Sequence, residues 1–426
     1  MSGMTTLPNR RIRLYEPYAI MLTIYAGFLA YAFLTAPARD ILDGFYKIVT
    51  SQSLLVTDYI AVGGLQAALF NAAIVGAASV FTLMLSGVKP NGATISAMWL
   101  TVGFSFFGKN IFNMIPLTAG VWLYSKYKKE PFAGYSLAAL LVATISPTVS
   151  EIGFLGIFSR PVEIMLGVLF GFFAGFIFPA ISAGAVRVHG GYDLYNMGFA
   201  GGLICTVGYA IVKNVGFEPA QIEIYSEGNN VVLAVGLYAV SAALFCLGAF
   251  RGVVKDNFKN FTSIMKLSGR LVSDFYYEHG NGVYVNIGTL GIFSTTLVLA
   301  LGAELNGLTI AGIFTIMGFG SFGKHIKNII PILLGSIAAV YFNRWGPSAP
   351  SSIVPILFST GLAPIAGQYG WVWGIIAGFI HVNIAAHTAY LSGGMNLYNN
   401  GFAAGFVAMS LLPVITIFRR GKSYEN

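Results

Sequence analysis

Charge is what this sequence has least of. Asp, Glu, Lys and Arg make up 9% of its 426 residues, whereas a soluble globular chain carries about 25% and covers its apolar core with them. With 56% hydrophobic residues and a mean hydropathy of +0.73, the composition is that of an all-α integral membrane protein. Between Arg344 and Arg419, 74 consecutive positions hold no Asp, Glu, Lys or Arg. One crossing needs about 20 apolar residues, so that stretch alone contains several. Cysteine is nearly absent too. Cys205 and Cys246 each sit in an apolar segment, which excludes a disulfide framework and a Cys-based metal cluster. No stretch alternates with period two over strand length, which argues against a barrel. The chain has no phosphate-binding Gly loop ending in Lys-Ser/Thr, no His-Glu-x-x-His and no Gly-x-Ser-x-Gly, so ATP-driven pumping and familiar hydrolase chemistry have no basis. His381 and His387, six apart, would fall on different faces of a helix and bring no third ligand. No metal, no cofactor and no enzymatic activity are expected.

What charge there is reads as topology. The net charge is +8, but the cations lie mostly between apolar runs, where the positive-inside bias puts them, so nucleic acid is not an expected partner. Arg10, Arg11 and Arg13 precede the first run without a small-residue cleavage signal, which favours a retained first span. Spans are expected near 17–38, 59–88, 131–150, 164–186, 194–212, 228–250, 279–303, 351–365, 371–391 and 396–418, about ten in all.

The chain also repeats itself. Asn91 to Gly120 aligns without a gap onto Asn306 to Gly335 with 14 of 30 positions identical, among them Gly108, Lys109, Asn113 and Pro116 against Gly323, Lys324, Asn328 and Pro331. A second block, Gly190 to Ala200, matches Gly393 to Ala403 in the same order. The chain therefore divides into residues 1–58 (cytoplasmic N-terminus, first span and an external segment), repeat A at 59–213, a linking region at 214–279 with one span, and repeat B with a cytoplasmic C-terminus at 280–426. Acidic residues flank repeat A (Asp40, Asp43 and Asp58 before it; Glu218, Glu223 and Glu227 after it). Basic residues flank repeat B (Arg251 to Arg270 before it; Arg419, Arg420 and Lys422 after it). By the positive-inside bias the copies face opposite ways and both termini are cytoplasmic.

Each copy contains one irregular feature. The runs 90–108 and 110–125, like 305–323 and 328–343, are short and joined at Gly-Lys. They read as two thin spans or as one re-entrant hairpin, and we favour the hairpin. Matched, Gly/Pro-interrupted short segments in the two halves of an inverted repeat point to a transporter's central site. Lys109 and Lys324 would then bring ammoniums together with the Gly108 and Gly323 amides to attract an anionic or strongly polar solute or to exclude cations. The alternative is that each lysine snorkels to headgroups. Asn113 and Asn328, four residues on, share the lysine's helix face and either present amides to the solute or bond between helices. In the second block, Asp193 or Asn396 reads as a helix cap, and beyond it Tyr195, Asn196, Tyr398 and Asn399 could line a pore. Asp193 and Glu151 have neutral counterparts, Asn396 and Gln368; either acid is a candidate counter-ion of Lys109 or a proton site.

These motifs carry a resemblance. Gly-Phe-x-x-Phe-Gly-Lys-x-Ile-x-Asn in both halves and the two Leu-Tyr-Asn-x-Gly-Phe-Ala blocks make the whole chain similar to an uncharacterised family of bacterial polytopic inner-membrane proteins, from which no function carries over. Leu194-Tyr195-Asn196 and Leu397-Tyr398-Asn399 also resemble, over those few residues, the Leu-Tyr-Gly-Tyr-Asn-Gly-like helix start of urea transporters, whose halves are likewise inverted copies. The expectation is thus an inverted-repeat bundle of about ten transmembrane helices plus two re-entrant hairpins in a bacterial inner membrane. It would be a transporter or channel for a small polar solute or ion, with membrane lipid as its other partner and homo-oligomerisation left open. A scaffold or a membrane-embedded enzyme is the alternative.

Overall fold

The computed structural model describes residues 15–53, 56–214, 223–271 and 273–422. Arg10, Arg11, Arg13 and Glu218, which contribute to the topology expectation, lie outside the described residues. Among the described residues the chain is helical apart from Val56–Thr57, which pairs in parallel with Glu223–Ile224. Nine helices there are long and apolar enough to cross a membrane. The segment expected as a tenth span is the helix Asn196–Asn214, whose apolar part, Asn196–Ile211, is shorter than those nine and is not among them.

The two halves run through the same elements in the same order. The first comprises Glu16–Thr35, the amphipathic Ala38–Thr50, the short Tyr59–Gly63, Leu65–Leu85, Gly92–Phe104, Ile111–Lys128, the jointed Phe132–Gly153, Arg160–Val188 and Asn196–Asn214. The second comprises Asn230–Phe250, the amphipathic Val254–Ile264, Phe275–His279, Gly282–Ala300, Gly307–Gly318, Ile326–Phe342, the jointed Pro350–Tyr369, Trp371–Leu391 and Asn399–Lys422. The correspondence begins upstream of the blocks that sequence identity marks. Local chemistry repeats with it. Asn91 and Asn306 each accept from the backbone N–H three residues on, while Thr94 and Thr309 return the bond, so both short helices start in a capping box. Asp58 and Asp274 cap the two five-residue helices.

Equivalent helices of the two halves pack against each other antiparallel. Ser321 Oγ donates to Gly92 O (2.8 Å), Ser96 Oγ donates to Gly318 O (2.9 Å), Gly103 lies on Ala311, and Gly307 meets Phe106. Trp99 and Phe314, equivalent residues, meet edge to face at 5.0 Å in the middle. Each short helix has its N-terminus neutralised by an acid of the other half: Gly92 N donates to both Asp274 oxygens (3.0 and 3.1 Å), and Gly307 N donates to Asp58. An acid at a helix start complements the positive end of its dipole. The opening helices of the halves are antiparallel as well, since Glu16 pairs with Arg251 and Ile24 faces Val240.

These contacts sort the loops into two ends. At one end Arg270 Nε donates to Gly190 O (2.9 Å) and its guanidinium lies over Tyr192; Tyr192 stacks on Tyr369, over which Arg419 lies. At the other end Ser226 donates to Asp58 Oδ2 (2.6 Å) and Gly228 N donates to Glu304 (3.1 Å). The 20 residues of Glu16–Thr35 separate the two, about 30 Å at the rise of an α-helix.

Candidate functional site

The short helices end in the Gly-Lys turns. Gly108 takes φ +73°, a left-handed conformation that favours glycine, and a side chain there would strike Leu397. Gly323 is pressed against Gly269 and Leu194. Leu194 and Leu397 belong to the Leu-Tyr-Asn blocks, so Gly108 rests on the second half's block and Gly323 on the first half's. Two asparagines that sequence reasoning missed hold the turns open at their base. Asn71 Nδ2 donates to Ser105 O (2.7 Å) and Lys109 O (3.0 Å); Asn286 Nδ2 donates to Gly320 O and Lys324 O, both 2.8 Å. Both lie 215 residues apart in the same register as the lysines, a signal available by extending the repeat upstream.

Asn113 and Asn328 do not offer free amides to a solute. Asn113 Oδ1 accepts from Asn110 N (2.9 Å) while Nδ2 donates to Gly108 O and Ser150 Oγ, both 3.0 Å. Asn328 Oδ1 accepts from His325 N (2.9 Å) and Nδ2 donates to Gly323 O (2.9 Å). Both side chains are spent on closing the turn and starting the next helix. Asn196 and Asn399 tie their helix starts to the preceding helix: Asn196 donates to Ser182 O (3.1 Å) with His189 at 2.9 Å from its oxygen, and Asn399 bonds Thr388 at 3.1 Å.

The lysines are fully buried, at 0% exposure, which excludes snorkelling. Each crosses to the other half. Lys109 Nζ donates to Tyr398 OH (3.0 Å); Lys324 Nζ donates to Tyr195 OH and to Thr360 Oγ1 (2.8 Å). Each ammonium also lies over rings, Lys109 over Tyr398 and Phe104, and Lys324 over Tyr195 and Phe319. The expectation that the two lysines come together is corrected by the antiparallel packing, which sets each turn level with the first residues of the opposite short helix. Between them runs a chain of rings: Tyr398 on Phe104 at 4.0 Å, Phe104 on Phe358 at 5.6 Å, Phe358 on Tyr195 at 6.1 Å and Tyr195 on Phe319 at 5.2 Å.

The candidate acids do not serve Lys109. Asp193 is fully buried, and its Oδ1 accepts from Tyr195 N (2.8 Å). Glu151 faces a separate apolar cavity of about 450 Å³ beside Cys205 and Met395. The position equivalent to Asp193 is Asn396, which caps Tyr398 N (3.1 Å), receives Thr144 Oγ1 (2.6 Å) and donates to Gly198 O (3.3 Å). Among the described residues no carboxylate pairs with Lys109.

Two cavities approach the ring chain and are built from equivalent residues. One, of about 220 Å³, is bordered by Ala93, Leu137, Leu141, Asn196, Leu271 and Phe322 and reaches Tyr195 and Tyr398. The other, of about 290 Å³, is bordered by the counterparts Leu308, Val354, Phe358, Asn399 and Phe107, and by Glu223. Leu271, which lines the first, lies at the basic end, and Glu223, which lines the second, lies at the acidic end. Leu141 lines the first where its counterpart Phe358 lines the second.

An all-helical chain with nine such helices among the described residues is a multi-pass membrane protein. A family model described as a protein of unknown function (DUF1576) matches residues 37–214 and 253–417, and the chain belongs to that family. No curated protein and no solved structure matches it.

Proposed function

We propose that this protein carries a small polar solute or ion across a bacterial inner membrane, along a path between two oppositely inserted halves. One observation carries the reading: cavities made of equivalent residues reach the Lys-Tyr ring chain from opposite ends of the bundle. The antiparallel contacts of equivalent helices support an inverted repeat, and the turn at the end of each short helix supports a re-entrant hairpin, one entering from each side. Polar groups at such depth in lipid are costly unless they serve a path or a partner. The basic end is cytoplasmic by the positive-inside bias, which places both termini there. The cavity that reaches Tyr195 and Tyr398 then faces the cytoplasm, and Phe104 with Phe358 forms the closed side. Movement of those rings would exchange the open side.

Uptake into proteoliposomes tests this. Offered monovalent anions, urea-like neutral solutes and monovalent cations, with and without a proton or sodium gradient, the purified protein should move at least one class. The Lys109→Ala/Lys324→Ala double variant should lose that flux or change its selectivity while remaining folded. Flux of none of these solutes under any gradient would remove the reading.

A further inference from the structure

One buried acid takes no part in the turns or in the ring chain. Glu151, near the end of the jointed Phe132–Gly153, is 3% exposed and lines the cavity of about 450 Å³ whose other residues come mainly from Arg160–Val188 and Asn196–Asn214. The walls are otherwise largely apolar, with Phe170, Phe173, Ala174 and Ile204 among them. Thr148 Oγ1 and Cys205 Sγ, also in the lining, both donate to Met395 O (3.3 and 3.6 Å). Glu151 Oε2 accepts no hydrogen bond from any described residue, and the lining holds no Lys, Arg or His among the described residues. The other half does not repeat this burial, since the counterpart Gln368 is neutral and exposed. A carboxyl buried without a donor or a cation is costly, and here the chain itself supplies neither.

Independently of the transport reading, we propose that this cavity binds a lipophilic amine, a molecule with an apolar body and one protonated nitrogen that donates to the Glu151 carboxylate. The volume falls within the roughly 300–1,000 Å³ of small-molecule sites, which are likewise mostly apolar with a few placed polar groups. The lone carboxyl sets the class. An ammonium brings both the hydrogen bond and the counter-charge that Glu151 lacks, whereas an alcohol brings only the first and a second carboxylate brings neither. Phe173, Val207 and Ile211 line the cavity and are also exposed, which suits a ligand that partitions into the bilayer.

Equilibrium binding of radiolabelled octylamine to the protein in nanodiscs of zwitterionic lipid tests this, with the signal of empty discs subtracted. The wild type should bind the amine saturably. Excess unlabelled octylamine should displace it, whereas octan-1-ol and octanoate, which carry the same chain length, should not. Glu151→Gln keeps the shape of the side chain and removes its charge. It should weaken octylamine binding at least about tenfold, because one partner of a buried charge pair is gone. Absence of saturable binding above that of empty discs overturns the site. Displacement by octan-1-ol as effective as by octylamine overturns the amine and leaves an apolar cavity that takes any chain. Equal affinity in the wild type and Glu151→Gln overturns the role of Glu151. If Glu151→Gln does not elute as a monodisperse species, the displacement series on the wild type decides alone.

Discussion

At the scale of single residues, the buried polar groups divide into those that build the turns and those that confront each other across the halves. Asn71 and Asn286 belong to the first kind. Each amide donates to two carbonyls at the end of a short helix, where helical partners run out. Replacing Asn71 by Ala strands those carbonyls in a dry interior and should cost about 1–3 kcal/mol, read as a lower unfolding midpoint in detergent; an unchanged midpoint would mean that water substitutes for the amide. Lys109 and Lys324 belong to the second kind. Their oddity was legible from the sequence, because a charge repeated inside two apolar blocks is expensive. Their partners were not, since Tyr398 lies 289 positions from Lys109 and only the folded halves bring them together. The roles of Asn113 and Asn328 were illegible for the opposite reason: a capping box at the turn absorbs side chains that helix-face reasoning assigned to solute.

At the scale of elements, glycine determines how closely the helix after each Gly-Lys turn approaches its own half. Gly120 and Gly175 bring Ile111–Lys128 against Arg160–Val188, and Gly335 and Gly378 repeat the arrangement between Ile326–Phe342 and Trp371–Leu391. Pro116 and Pro331, inside Ile111–Lys128 and Ile326–Phe342, pack on Gly171 and Gly374. In lipid such small-residue contacts supply packing that the hydrophobic effect does not. Gly175→Val drives a branched side chain into the backbone of Leu117 and should destabilise by about 1–3 kcal/mol or more. Gly184→Ala on the same helix meets nothing within 4 Å and should be neutral or slightly stabilising. Comparing the two by fluorescence-detected size exclusion after heating checks this, and equal losses would deny the close packing a role. Most helix limits were readable from apolar runs and from Gly and Pro. The equivalence of Glu16–Thr35 with Asn230–Phe250 was not, because no identity marks it and only the order and packing of elements reveal it.

At the scale of the whole molecule, the described residues run twice through the same order of helices, and the equivalent short helices Gly92–Phe104 and Gly307–Gly318 lie antiparallel against each other. The loop charges already separated the ends in sequence, and the structure adds contacts consistent with that division: Val56–Thr57 against Glu223–Ile224 at the acidic end, Arg270 against Gly190 at the basic end. What loop charges cannot specify is how the two cavities differ, with Phe358 lining one where Leu141 lines the other. The central claim, that equivalent cavities open to opposite sides of the membrane, is tested most directly by thiol accessibility. With Cys205 and Cys246 replaced by Ala, Leu137→Cys and Val354→Cys each place one thiol at equivalent points of the two cavities. A membrane-impermeant maleimide should label the first only in inside-out vesicles and the second only in right-side-out vesicles. Labelling of both from the same face would contradict the account.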